Sequence, residues 1–236
     1  MIKAVLFDFD QTLVDSANGF RFAEKQVQRN IFEDMPDTSW DDFISFYRRL
    51  RRQFHKTSNL SRMALWEEVC RHFGRPYDSF MLEKWEDHYW LTVKALTSLF
   101  PEVPGTLETL SKQYKLAAIT NTQAQAGPQK HRLLETPQLT ELFEAIIVAG
   151  EGGVPTKPDS TAFLTCLERL NVDPEQAVYV GDDWNTDICG AADASVQPIW
   201  LKHHKLSRSW PEPDRDISVP VITKLDSLLD IDSILS

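Results

Sequence analysis

Short apolar segments alternate with helical periodicity along most of this 236-residue chain. In each segment the apolar residues occupy mostly consecutive positions, which is typical of a strand buried on both faces in a parallel sheet. Because predicted strands and helices alternate, the pattern predicts an α/β fold with a doubly wound parallel sheet. The five predicted strands are Ala4–Phe7, Lys115–Ile119, Ala145–Ala149, Ala177–Val180 and Val196–Leu201. The predicted helices around the last four strands are Thr106–Gln113, about Pro128–Glu135, Ser160–Leu170, a helix ending at Ala194, and Thr223–Leu235.

The connection between the first two strands is far longer than a crossover requires. It takes about a hundred residues, whereas a crossover normally needs about a dozen. Between about residues 17 and 99 the pattern is helical, with no convincing strand. The candidate helices are Asn18–Asn30, Trp40–Phe54, Ser61–Phe73 and Tyr77–Leu99. We therefore predict a catalytic core formed by residues 1–15 and 100–236, and an inserted α-helical bundle, a cap domain, at residues 16–99.

Bulk properties limit the partners and the compartment. The formal net charge of −10 argues against nucleic acid or an anionic membrane as the main partner. The three cysteines are far apart and odd in number, which fits reduced thiols in a cytoplasm. The first apolar run is too short for a signal-peptide core, and no segment reaches membrane-spanning length. We expect a cytoplasmic protein with no membrane association, and either a monomer or a homodimer is compatible with the sequence.

Most predicted strands end in residues that can do chemistry. The carboxyl ends of parallel strands meet at one edge of the sheet, which is where ligands bind in open sheets of this type. Taken alone, Asp8 and Asp10 fit a polar turn as well as a site. The residues expected to meet at this edge are Asp8, Asp10, Thr120, Asn121, Lys157 and Asp182, with Asp183 and Asp187 nearby. Several carboxylates, a lysine and a hydroxyl together indicate a site for Mg²⁺ and a phosphoryl group.

Four motifs together resemble one known family. They are Asp8-Phe9-Asp10-Gln11-Thr12, Thr120-Asn121, Lys157-Pro158-Asp159, and the run from Gly181 to Asp187. The chain resembles the haloacid dehalogenase superfamily of hydrolases, in particular the phosphatases with a helical, C1-type cap between the first two core strands of a Rossmann-like core. All four motifs occur in the family order, and the resemblance covers the whole chain.

The resemblance implies a division of roles between the first two acids. Asp8 would be the nucleophile that forms an aspartyl-phosphate. Asp10 would protonate the leaving alcohol and then activate water. Thr120, Asn121 and Lys157 would hold the transferring group.

The resemblance also implies a Mg²⁺ site. The ligands would be the side chain of Asp8, the backbone carbonyl of Asp10 and the side chain of Asp182. Asp187 would orient these ligands without itself binding the ion, with Asp183 as a competing candidate. An aspartate at this point of the chain can also simply cap the following helix.

The presence of Asp10 favours phosphate-ester hydrolysis over dehalogenation, since dehalogenating members of the family lack this acid. The expected substrate is a small phosphorylated metabolite. A phosphomutase, or a catalytically idle binding or regulatory module on the same scaffold, is the alternative. Gln11 stands where many members of the family carry Gly, Asn or Asp.

The predicted cap contains one basic stretch, Tyr47–Lys56, with arginines at positions 48, 49, 51 and 52. These arginines could reach a second anionic group on a substrate. We favour a solvated helix face, since most charge runs lie on the surface. His203 and His204 are weak evidence for a metal site. Trp85, Tyr89 and Trp90 are expected in the core of the bundle.

Overall fold

The structure is a computed structural model that describes residues 1–35, 37–56, 59–124, 131–206, 209–210, 215 and 217–235, with Lys56 described by its backbone only. Two compact units are present. The first consists of the described residues of Met1–Asp15, Ser98–Thr122 and His131–Ser236. The second consists of those of Ser16–Thr97 and Gln123–Lys130.

The strands are β1 Ala4–Phe7, β2 Val14–Asp15, β3 Ser98–Leu99, β4 Lys115–Asn121, β5 Ala145–Ala149, β6 Ala177–Gly181, β7 Gln197–Leu201 and β8 Val221–Ile222. The helices are α1 Ala17–Phe32, α2 Trp40–Lys56, α3 Arg62–His72, α4 Ser79–Ala95, α5 Val103–Leu110, α6 Pro137–Thr140, α7 Ser160–Leu170, α8 Gly190–Asp193 and α9 Ile231–Leu235. Shorter 3₁₀ segments cover Arg132–Glu135, Pro174–Gln176 and Leu225–Asp230, and a π-helical turn covers Trp184–Cys189.

Six strands of the first unit form one parallel sheet in the order β5-β4-β1-β6-β7-β8. The strand β1 lies between β4 and β6, where Ala4 is in register with Lys115 on one side and Ala177 on the other. The chain leaves β1 toward one edge and later returns to fill the other. The carboxyl end of β1 is therefore the point at which the strand order reverses, the position where such sheets bind ligands.

The strand β1 is buried on both faces, which explains its consecutive apolar residues. Val5 and Phe7 belong to a core that includes α5, whereas Ala4 and Leu6 belong to a second core that includes α7. All four side chains have no exposed surface. Helices thus cover both faces of the sheet, and the predicted doubly wound α/β fold is confirmed.

Several predicted boundaries are wrong. The helix predicted at Tyr77–Leu99 is α4 at Ser79–Ala95, whose first turn is capped by Asp78 accepting from the Met81 amide at 2.7 Å. Its predicted end, Ser98–Leu99, is instead β3, which pairs antiparallel with Val14–Asp15. The expectation of no strand in this block fails there, because the pairing partner lies more than eighty residues away in sequence.

Other differences are confined to the ends of elements and to short elements. The helix predicted at Thr106–Gln113 begins earlier and spans Val103–Leu110. The closing helix predicted at Thr223–Leu235 is a 3₁₀ segment followed by α9, and β8 was not predicted. Of the element predicted at about Pro128–Glu135, residues 128–130 lie outside the described residues, and Arg132–Glu135 is a 3₁₀ turn.

The second unit packs α1 to α4 around its own aromatic core. The spacing of Phe43, Phe46, Tyr47 and Leu50 predicts one apolar face on α2, and all four pack into this core, with Phe46 only partly buried. The Trp66 indole donates to the Tyr47 hydroxyl at 3.1 Å inside this core. The aromatic residues Trp85, Tyr89 and Trp90 also pack into it, as expected. Among the described residues, no helix has the length and apolar character needed to cross a bilayer.

Candidate active site

The first two acids lie directly after β1. The Asp8 amide donates to the Val180 carbonyl at 2.9 Å, which extends the sheet register one residue beyond the strand. Phe9 points into the core and is buried, while the side chains on either side of it have exposed fractions of 11% for Asp8 and 24% for Asp10. The backbone then turns at Gln11, whose φ of 64° lies in the left-handed region. That region favours Gly, Asn and Asp, the residue types that the resemblance gives for this position.

A buried lysine organises the centre of the site. Lys157 follows β5 in sequence, and its side chain is only 2% exposed. Its ammonium lies within hydrogen-bonding distance of four oxygens, which are Asp187 Oδ1 at 2.6 Å, Asp8 Oδ1 at 2.7 Å, the Tyr179 hydroxyl at 2.8 Å and the Ile119 carbonyl at 3.0 Å. Burial alone would lower the pKa of Lys157, but the two carboxylates outweigh it and raise that pKa above its ordinary value. The lysine is therefore a fixed positive charge.

Three carboxylates surround the same point. One oxygen each from Asp8, Asp182 and Asp187 lie within 4.8 Å of one another, and all three residues are buried. Burial raises the pKa of the Asp8 carboxyl to about 7, because repulsion from Asp187 adds to desolvation and Lys157 only partly offsets them. One lysine against three acids leaves an excess of negative charge. Hard carboxylate oxygens in such an arrangement fit a cation of the Mg²⁺ type.

Asp187 and Asp183 make different contacts, although both follow β6. Asp183 Oδ1 accepts from the amides of Asn185 and Thr186 at 3.0 and 2.8 Å, so this side chain caps the π-helical turn that follows. Asp187 reaches back toward Lys157, and its Oδ2 accepts from the Asp183 amide at 3.0 Å. Capping therefore describes Asp183, and Asp187 is the one grouped with the other acids.

Gly181 makes the position of Asp187 possible. A Cβ atom built on Gly181 would lie 2.5 Å from the carboxyl group of Asp187. Only a residue without a side chain leaves room for this carboxylate beneath the end of β6. Close packing against Asp187 therefore explains why the fourth motif has a glycine at position 181.

The two polar residues at the end of β4 have separate partners. Thr120 is buried, and its Oγ1 lies 3.2 Å from the Nε2 atom of His131. The Asn121 side chain accepts from the Lys157 amide at 2.7 Å and donates to the Lys157 carbonyl at 3.2 Å. The Asn121 side chain therefore fixes the backbone that carries the lysine. The contact of Asn121 with the transferring group stays a prediction.

Three residues near the site were not singled out by the sequence. The Arg132 guanidinium forms an ion pair with Asp10 and lies over the Phe9 ring, 5.4 Å from its centroid. His131 precedes the short 3₁₀ turn and Arg132 begins it, in a stretch that carries no strand-end signal. Tyr179 lies within the apolar run of β6, where its hydroxyl contacts both Lys157 and Asp187. A hydroxyl in a strand buried on both faces was the only available signal for it.

Comparisons with known proteins show the family of this chain. The family model described as haloacid dehalogenase-like hydrolase matches residues 5–201. A glyceraldehyde 3-phosphate phosphatase from Methanopyrus kandleri is 30% identical over 235 residues, covering 98% of this chain and 97% of that protein. The chain belongs to the haloacid dehalogenase-like hydrolase family. A phosphoglycolate phosphatase from Aquifex aeolicus is 31% identical over 184 residues, covering 77% of this hydrolase and 76% of that protein.

Solved structures lead to the same family. A 2-haloacid dehalogenase from Pseudomonas syringae pv. tomato has a TM-score of 0.69 and 27% sequence identity, and the match covers 100% of both chains. The family resemblance drawn from the four motifs is therefore confirmed. This hydrolase shares its fold with relatives whose names cover both phosphatases and dehalogenases.

In the histidine pair of this hydrolase, both ring nitrogens of His203 have hydrogen-bond partners within the protein. The His203 Nδ1 atom accepts from the Lys205 amide at 3.2 Å, so the proton of a neutral ring is on Nε2, which donates to Glu102 at 2.8 Å. The ring also stacks on Phe100 at 3.6 Å. Oxygen and nitrogen atoms of Glu102, His203 and His204 lie close together, but both ring nitrogens of His203 are already engaged.

The basic stretch of the second unit lies on α2. The side chains of Arg48, Arg49, Arg51 and Arg52 are exposed, and that of Lys56 lies outside the described residues. Arg51 lies 3.3 Å from Glu24, and Arg49 lies over the Phe46 ring. These contacts are typical of a solvated helix face that covers apolar neighbours with its stems.

Proposed function

We propose that this hydrolase is a Mg²⁺-dependent phosphatase of small phosphorylated metabolites, acting through an aspartyl-phosphate on Asp8. The observation that carries the proposal is the buried Lys157 ammonium held between Asp8 and Asp187, with Asp182 beside them, at the reversal point of the sheet. Relatives named as phosphatases over nearly the full length of the chain support the same activity.

The proposed first step is attack of an Asp8 carboxylate oxygen on phosphorus. The P–O bond to the leaving group breaks, and the Asp10 carboxyl gives its proton to the leaving oxygen. Lys157 adds positive charge next to the attacking carboxylate, and the Thr120 hydroxyl donates to a phosphoryl oxygen. Asp10, now a carboxylate, then removes a proton from the water that hydrolyses the aspartyl-phosphate. Arg132 holds the carboxylate form of Asp10 in place through its ion pair.

The proposed metal ligands are the side chains of Asp8 and Asp182 and the backbone carbonyl of Asp10. Two buried carboxylates with excess negative charge around them form a donor set that suits Mg²⁺. The ion would supply charge that offsets the repulsion between a carboxylate and a phosphate. Asp187 positions these groups through Lys157 and the Asp183 amide. In the same proposal, residues 16–99 are the cap and the protein is cytoplasmic, a compartment supported by three buried free cysteines.

Hydrolysis of p-nitrophenyl phosphate tests the proposal directly. We expect turnover with Mg²⁺, no turnover after chelation by EDTA, and loss of activity to the level of buffer in Asp8→Asn. Asp183→Asn is the matched control, because the same change is made on a neighbouring aspartate that caps a turn and its amide oxygen can still accept. Activity that survives in Asp8→Asn, or in EDTA, would contradict the proposal.

A panel of phosphate esters tests the substrate class. Glyceraldehyde 3-phosphate and phosphoglycolate come first, because proteins similar to this one are named for them. Values of kcat/KM across the panel report discrimination in the transition state.

For the phosphomutase alternative, ³¹P NMR of a sugar 1-phosphate separates isomerisation from phosphate release. The retained Asp10 and the names of the relatives favour release.

A further inference from the structure

His131 is fully buried next to the proposed phosphate-binding hydroxyl. It has no exposed surface, and its ring meets the Phe9 ring edge-on with centroids 5.4 Å apart. Its Nδ1 atom lies 3.1 Å from the amide of Leu133, and its Nε2 atom lies 3.2 Å from Thr120 Oγ1. Both ring nitrogens therefore have a defined partner.

The backbone decides which nitrogen carries the proton. A backbone N–H can only donate, so Nδ1 must accept from Leu133 with its lone pair. The proton of the neutral ring is then on Nε2, and Nε2–H donates to Thr120 Oγ1. Burial lowers the pKa of His131 to about 4, although the charge of Asp10 acts in the opposite direction. The ring is neutral at physiological pH, in this one tautomer.

The tautomer has a consequence for the threonine. A hydroxyl has one proton to donate and two lone pairs that accept. Since Thr120 Oγ1 accepts from His131, its own proton is directed to another acceptor. Thr120 is the second-last residue of β4, the strand next to β1, at the same edge of the sheet as Asp8 and Lys157. In the proposed reaction a phosphoryl oxygen is an acceptor at that edge.

We propose that His131 is a positioning residue that makes Thr120 a dedicated hydrogen-bond donor to the phosphoryl group. This inference rests on the proposed function, since it assigns Thr120 to the transferring group. Without the histidine, the hydroxyl could turn and donate to a nearby acceptor of the protein. The histidine thus acts through Thr120 and does not itself touch the substrate.

Two substitutions at His131 separate its two contacts. His131→Asn keeps an acceptor near the Nδ1 position for the Leu133 amide but cannot reach Thr120. His131→Gln can present an amide donor near the Nε2 position. We expect kcat/KM for p-nitrophenyl phosphate to fall about tenfold in His131→Asn, the effect of one hydrogen bond. His131→Gln should retain most of the wild-type value. Equal losses in the two variants would overturn the proposal.

A double-mutant cycle with Thr120→Val distinguishes positioning from packing. Thr120→Val alone is expected to lower kcat/KM about 10- to 100-fold, as for loss of a hydrogen bond to a charged group. His131→Asn should then cause no further loss in the Thr120→Val background, because the hydroxyl that it orients is gone. Losses that multiply would show that His131 acts on its own, and the proposal would be wrong.

Two readouts do not depend on turnover. In ¹⁵N-labelled wild-type protein, the imidazole NMR signals of His131 should show the proton on Nε2, and a proton on Nδ1 would overturn the proposal. Binding of inorganic phosphate with Mg²⁺, measured by calorimetry, should weaken in His131→Asn and be restored in His131→Gln. If the wild-type protein hydrolyses no phosphate ester, the proposed function fails, while these two measurements still decide the role of His131.

Discussion

Replacing Lys157 with methionine tests whether the ammonium holds the site together. The two side chains have similar length, so Lys157→Met removes the charge with little change in volume. Lys157 is 2% exposed and lies 2.7 Å from Asp8 and 2.6 Å from Asp187. Removing one partner of a buried ion pair leaves uncompensated buried charge, which costs about 3–5 kcal/mol. We expect a loss of free energy of unfolding in this range at pH 8 without metal.

The same reasoning predicts how the loss depends on pH. In Lys157→Met, the pKa of Asp8 should lie further above the ordinary value of an aspartate, because the Lys157 charge that lowers it is gone. Between the unfolded and folded pKa values, the folded state then binds more protons than the unfolded state. The free energy of unfolding of the variant should therefore rise, relative to wild type, as the pH falls from 8 to 5.5.

Urea denaturation in EDTA at both pH values measures these differences. Lys115→Met is the matched control, because Lys115 is 42% exposed and lies 3.8 Å from Glu144. Such an exposed pair contributes at most about 1 kcal/mol, so the control should change little and show no pH dependence. A loss below about 1 kcal/mol in Lys157→Met at pH 8, or no recovery on acidification, would refute the reasoning.

Four further outcomes are expected. The pKa of Asp8 is raised to about 7, so the folded protein binds more protons at this carboxyl than the unfolded chain between about pH 4 and 7. Asp8 therefore lowers the free energy of unfolding of the metal-free protein as the pH rises through this window. Urea denaturation should show a smaller dependence of this free energy on pH in Asp8→Asn, and an unchanged dependence would be contrary evidence. Gly181→Ala should lower the free energy of unfolding by about 1–3 kcal/mol and reduce turnover, since its Cβ would meet the Asp187 carboxyl at 2.5 Å; wild-type melting and activity would contradict this. Gln11→Gly should raise the free energy of unfolding by roughly 0.5 kcal/mol, because the left-handed backbone at this position disfavours a side chain, and a lower melting temperature would count against the argument. Saturating Mg²⁺, at about 100 times its dissociation constant, should stabilise the wild-type protein by about 2.7 kcal/mol, and calorimetry should show no such gain in Asp182→Asn; an equal gain in both would remove Asp182 from the metal site.

The sheet was predictable from the sequence because its central strands are buried on both faces. Consecutive apolar residues in β1 and β6 are typical of strands covered on both faces. The order of the strands was not accessible in the same way, since it depends on which distant segments pair. The antiparallel pair β2 and β3 was not predicted either, because its two segments are far apart in sequence. Each of these strands also has only two residues, too few to show a period. The two-residue strand β8 was missed for that reason as well.

The acids and the lysine of the candidate site were predictable because they follow apolar strands. The hydrogen bonds and ion pairs that these residues make were not predictable, because they depend on distances between side chains. Asn121 contacts the backbone of Lys157, and Asp183 caps a turn, although both residue types would also suit a ligand. Arg132 carries no signal at all in the sequence, since an arginine in a polar loop is ordinary. Its ion pair with Asp10 exists only once the chain has folded.

The ammonium of Lys157 joins three neighbouring strands at their ends. It contacts Ile119 in β4, Asp8 just after β1, and Tyr179 in β6. Many catalytic groups weaken the fold that carries them, so random libraries selected for folding alone lose them. This lysine is expected to behave in the opposite way. A library screened only for folded protein, without any assay of turnover, should still keep lysine at position 157. Such a screen alone would therefore indicate a role in stability and none in turnover.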